Sequence, residues 1–63
     1  MTFAEKVKYV RGVLLISQKD LAKELGVSNV TINRWENGLN RPTTTARKQI
    51  VELCKENNIE LKE

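Results

Sequence analysis

The sequence predicts an all-α fold: one compact domain of four helices and no sheet. Three observations point there. Apolar residues recur at helical spacing, with little of the strict alternation that marks strands. Ser17, Ser28 and Thr43 each stand just before a periodic segment, where helix N-caps sit. Turn residues are sparse and mostly fall between those segments: Gly26, Gly38 and Pro42, with Gly12 the exception. A chain of 63 residues allows a single domain, 1–63, with an economical core.

The first helix is read from about Thr2 to Leu14. Phe3, Val7, Val10 and Leu14 fall at i, i+4, i+7 and i+11, one apolar stripe. Gly12 weakens it by ~1 kcal/mol relative to Ala, which suggests a close approach by another element. The second helix is capped by Ser17, with Asp20 three residues on in a shortened capping box. It buries Leu21, Ala22 and Leu25 and stops at Gly26. The third is capped by Ser28, buries Ile32 and Trp35, and ends at Asn37-Gly38. The fourth starts after Pro42, with Thr43 as cap and Ile50, Val51, Leu53 and Cys54 as core face. It fades near Asn57-Asn58, and the remaining five residues are too few to assign.

Composition removes several function classes. With no His and one Cys, a disulfide framework within one chain is impossible and a Cys/His zinc site nearly so. Catalysis through His is excluded. The longest apolar run, Val13 to Ile16, is far below the ~18 residues of a membrane span, and no signal peptide fits the first residues. A lone thiol suits a reducing cytoplasm. Cys54 reads as a small core residue, with redox sensing the alternative. No cofactor, metal or small-molecule ligand is expected.

The formal charge of +3 is unevenly spread. Residues 29–51 carry Arg34, Arg41, Arg47 and Lys48 against Glu36 alone. The last twelve residues are acidic on balance. A basic middle suits a polyanion-binding face, though a solvated surface fits the same numbers.

Two short helices joined by a tight glycine turn are the sequence signature of a helix-turn-helix, here about residues 18–37. The stretch SQKDLAKELGVSNVTINRWENG, from Ser17 to Gly38, resembles the lambda-repressor-like, Cro-type helix-turn-helix family. The family's usual form has a Ser-Gln start, then Leu-Ala, Leu-Gly-Val-Ser and a closing Trp-Glu-Asn-Gly. Arg41-Pro42-Thr43 resembles its basic-Pro-Ser/Thr approach to helix 4. The likeness covers roughly residues 7–54. Arg47 departs from it, standing where the family usually has an apolar residue. The resemblance implies a four- to five-helix DNA-binding domain whose third helix, about 29–37, lies in the major groove.

Rotating that helix by ~100° per residue from its buried pair, Ile32 and Trp35, turns Asn29, Val30, Asn33, Arg34 and Asn37 outward. Asn29, Val30, Asn33 and Arg34 are the expected base readers. Arg can meet guanine and Asn adenine with two hydrogen bonds, and Val can meet a thymine methyl. Expected phosphate contacts are Gln18, Ser28, Asn37, Arg41, Thr43 and Thr44, placed at helix starts and flanks. Gln18 is there by resemblance, with bracing of Asn29 as a second task. Asn37 also suits a helix stop, and Thr43 plain capping. The family implies an ion pair between Arg11 and Glu36, both ~70° off their apolar stripes.

The expected function is sequence-specific binding of double-stranded DNA by a prokaryotic or phage transcriptional regulator, a repressor acting in the cytoplasm. Such domains act as homodimers on palindromic half-sites, although a monomer in isolation is compatible with this length. Leu39, Ile59 and Leu61 are the residues available for a small dimer contact. The alternative is a protein-interaction module of the same fold, antitoxin-like. Enzyme activity is not expected.

Overall fold

Among the described residues each helix starts on a hydroxyl side chain, and a left-handed residue follows within two positions of its last residue. The computed structural model describes residues 1–39 and 41–61 as four helices. They are α1 (Phe3–Leu14), α2 (Gln18–Leu25), α3 (Asn29–Glu36) and α4 (Thr44–Glu56). Thr2, Ser17, Ser28 and Thr43 each accept a hydrogen bond from the backbone N–H three residues on, which satisfies an amide that has no partner inside the helix. Thr2–Glu5 and Ser17–Asp20 close the capping box in both directions.

The four ends repeat one motif. The left-handed residues are Leu15, Gly26, Gly38 and Asn58. After each, the next amide reaches back to a carbonyl five residues earlier: Ile16 to Arg11, Val27 to Ala22, Leu39 to Arg34 and Ile59 to Cys54. This is the Schellman arrangement, whose next residue is commonly apolar. Ile16, Val27 and Ile59 obey it by packing on the core. Leu39 does not; it is 71% exposed.

The core is Val7, Val10, Leu21, Ala22, Ile32, Trp35, Ala46, Ile50, Leu53 and Cys54. α3 packs against both α1 and α2, and α4 closes the other side of α1. Phe3 meets Trp35 edge to face, with ring centroids 5.4 Å apart. The Cα radius of gyration is 10.4 Å, close to the ~11 Å expected for a chain of this length. Gln49 of α4 donates to the carbonyl of Leu25 at 2.8 Å, supplying a partner to the last turn of α2. No helix of the described residues is long and apolar enough to cross a membrane.

Two expectations are corrected, at Val51 and Gly12. Val51 is not core: it is half exposed, because Ile50, Leu53 and Cys54 set the inward direction of α4 and Val51 lies off it. Ala46, not foreseen, is buried on that stripe one turn earlier. Gly12 makes no close approach; a methyl added there would meet open space. Ile59 and Leu61 are partly buried against this chain's own core, following the left-handed turn at Asn58.

Candidate nucleic-acid interface

α3 has two chemically distinct sides. Ile32, Trp35 and Glu36 face inward and are buried. Asn29, Val30, Asn33, Arg34 and Asn37 are exposed, and Val30 keeps 59% of its surface. An eight-residue helix is thus anchored along one side and open along the other. α2 supports it through the Gly26 turn, where φ is +69°. Only glycine takes that conformation without strain, and it lets α3 start two residues later at the Ser28 cap.

A helix-turn-helix family model matches residues 7–60, which includes all of α2, the turn and α3. The chain belongs to the Cro-type helix-turn-helix family. It is also 40% identical over 43 residues to the HTH-type transcriptional regulator DicA of Escherichia coli (strain K12). That match takes in 68% of this chain and spans about a third (32%) of the DicA protein. No solved structure matches the chain significantly.

Within this helix-turn-helix, the outer face is tied to the interior by a chain of polar contacts. It begins at a buried charge. Glu36 is 5% exposed and accepts from Arg11 twice, Nε to Oε2 at 2.6 Å and Nη2 to Oε1 at 2.9 Å. The third guanidinium nitrogen, Nη1, donates to the Ile16 carbonyl at 3.2 Å. Arg11 therefore joins α1, the α1–α2 connection and α3 at one point. The Arg11 hydrogen bond holds the Glu36 carboxyl below its ordinary range; burial opposes this and Gln18 assists it. The same pairing raises Arg11 above its ordinary value, against the cost of burial.

Gln18, the first residue of α2, continues outward. Its Nε2 donates to Glu36 Oε1 at 3.2 Å, and its Oε1 accepts from Asn33 Nδ2 in a longer contact of 3.5 Å. Asn33 is braced from its other side: Asn37 Nδ2 donates to Asn33 Oδ1 at 3.1 Å and to the Asn33 carbonyl at 2.8 Å. Gln18 therefore braces Asn33, not Asn29. Residue types alone did not signal this, because the partner is chosen by where Glu36 holds the Gln18 amide.

The flanking positions divide. Ser28 Oγ accepts from the Thr31 amide and shares a hydrogen bond with Thr31 Oγ1 at 2.8 Å. Thr43 Oγ1 accepts from the Ala46 amide, and its own proton remains available to an anion. Thr44 and Arg41 are exposed. Arg47 is exposed too, but it lines an open groove of about 430 Å³ with Phe3, Lys6 and Leu61, between the beginnings of α1 and α4. Cys54 is buried, and burial pushes its thiol up. Among the described residues, no cluster of three His, Cys, Asp or Glu side chains is arranged to hold a metal ion.

Proposed function

We propose that this chain binds double-stranded DNA in a sequence-dependent way and acts as a regulator of transcription, a repressor whose occupancy of an operator excludes polymerase. The observation that carries this is the exposed side of α3, anchored by a buried opposite side. α3 enters the major groove, whose base edges carry a distinct donor and acceptor pattern for each pair. Asn29, Val30, Asn33 and Arg34 face those edges. Gln18, Ser28, Arg41, Thr43 and Thr44 meet phosphates along the rim. Asn37 has its amide protons turned onto Asn33, so it must release them to reach a phosphate. The likeness to DicA, described as a transcriptional regulator, supports the reading.

Two copies acting on palindromic half-sites ~34 Å apart complete the proposal. Leu39, the one exposed apolar residue following a Schellman turn, is the natural contact between them.

The test is duplex affinity against salt. A domain that neutralises about four phosphates gives a slope of log affinity on log salt near −4. No detectable duplex binding at ~50 mM salt would overturn the proposal and favour an interaction module of the same fold.

A further inference from the structure

We propose that Gln18 is a positioning residue that locks the polarity of the Asn33 amide, and that the locked Asn33 reads an adenine. This rests on the DNA-reading proposal above and adds which base is read and what enforces it.

An amide side chain is nearly symmetric in shape, and turning it over exchanges its donor with its acceptor. An unconstrained Asn on a DNA-facing surface can therefore present either order. Here the order is imposed from both sides. An ionised carboxylate only accepts. The Gln18 atom facing Glu36 must then be Nε2, which turns Oε1 toward Asn33. An oxygen there calls for the Asn33 Nδ2. From the other side, Asn37 has one amide donor group, and the Asn33 carbonyl holds it at 2.8 Å. The same donor group faces Asn33 at 3.1 Å, and it calls for Oδ1 there. The two constraints start from different acceptors, Glu36 and a backbone carbonyl, and agree.

What remains on Asn33 follows by counting. Its amide has two N–H groups and an oxygen with two lone pairs. Gln18 takes one N–H and Asn37 one lone pair. One donor and one acceptor are left on an exposed side chain. Adenine, with acceptor N7 beside donor N6, is the base whose major-groove edge complements that pair. Guanine offers two acceptors there, and cytosine a single donor. Glu36 also keeps the lock charged: Arg11 pairs with it on both oxygens while Gln18 takes a further lone pair.

The experiment is selection of binding sites from a random duplex pool, followed by affinities for all four bases at each selected position. It is run for the wild-type chain, Asn33→Ala, Gln18→Ala and Glu36→Gln, with a thermal melt of each to confirm folding. One position is expected to prefer adenine. Asn33→Ala and Gln18→Ala should each reduce that preference about tenfold and leave the other positions as they were. Glu36→Gln replaces an obligate acceptor by a group that can also donate, so it should blur the same position; if it fails to fold, Gln18→Ala alone decides. A loss of phosphate contact in Gln18→Ala weakens all sequences equally and does not enter the ratio. If Asn33→Ala leaves every position unchanged, or its position prefers another base, the inference fails. If Gln18→Ala keeps the adenine preference intact, the lock fails while the reading role of Asn33 stands. If the wild-type chain binds no duplex at all, the proposed function itself has failed.

Discussion

Arg11 and Glu36 meet in a two-pronged pair, 2.6 Å and 2.9 Å, that joins the first helix to the third. Glu36 is 5% exposed and Arg11 27%, so the acid has given up more of its water than the base. That difference makes the two halves unequal. Removing Arg11 strands a buried carboxylate. Removing Glu36 leaves a cation that can turn out to solvent. Arg11→Met is expected to cost about 3 kcal/mol, and Glu36→Gln about 1–2 kcal/mol. Urea unfolding of both single variants and the double variant measures this. A coupling energy near zero would show that the pair is geometric only.

The pair also sets the acid limit of stability. Glu36 is held below its ordinary value of 4.5, first by Arg11. A carboxyl whose folded value is depressed contributes stability that is fully present above the unfolded value. It is lost as pH falls through the folded value. The unfolding free energy should therefore be level from about pH 7 down to 5, then fall as pH drops below the ordinary carboxylate range. Glu5 is lowered by its hydrogen bonds to Thr2 and slopes the same way, so Glu36→Gln should flatten the acid limb in part rather than wholly. An acid limb as steep in Glu36→Gln as in the wild-type chain would assign it elsewhere.

Leu15 and Gly26 occupy equivalent turns with opposite residue types. Leu15 has φ +56° and is 90% exposed, so it takes the left-handed strain without burying its side chain. Leu15→Gly should stabilise the fold by about 0.5–1 kcal/mol, relief of strain less the added freedom of the unfolded chain. For a domain of this size that is a rise of roughly 3–6 °C in melting temperature. Gly26→Ala should do the reverse, by about 1–2 kcal/mol, with strain as the cause because no atom lies within 4 Å of the added methyl.

Neighbouring residues on α4 separate the core from its surface. Ile50→Ala should cost about 2–4 kcal/mol, as Ile50 is almost wholly buried. Val51→Ala should stay within about 0.5 kcal/mol. Comparable losses at the two positions, read from denaturant midpoints, would contradict the observed rotation of the helix.

Arg34 lies on the open side of α3, away from Ile32 and Trp35. Arg34→Ala should remove preference at one base pair, worth about 1–3 kcal/mol, when site selection is repeated with the variant. Uniform weakening across all sequences would make Arg34 a phosphate contact instead.

The helices were legible because their signals are local. A hydroxyl before a periodic segment and Gly26 or Gly38 after it act within one turn of chain, so no distant contact is needed to interpret them. The same locality explains the errors. Val51 follows Ile50 directly, and an apolar type cannot say which of two adjacent residues points inward. The end of α1 at Leu14 is as expected, but no residue type announces the left-handed turn at Leu15. The partial burial of Ile59 and Leu61 was not legible either, because the turn at Asn58 that folds them back depends on the core being there to receive them.

The sequence by itself determined the helix order, the helix-turn-helix and the outward residues of α3. Each follows from spacing and capping that the backbone satisfies alone. Only the tertiary structure decided which side chain braces which. Gln18 could address Asn29 or Asn33 by type, and both are amides. Glu36, held by a residue 25 positions away, orients Gln18, and that orientation selects Asn33. Hydrogen-bond polarity is a property of the assembled network, and it passes from a buried charge to the surface only after three helices have met.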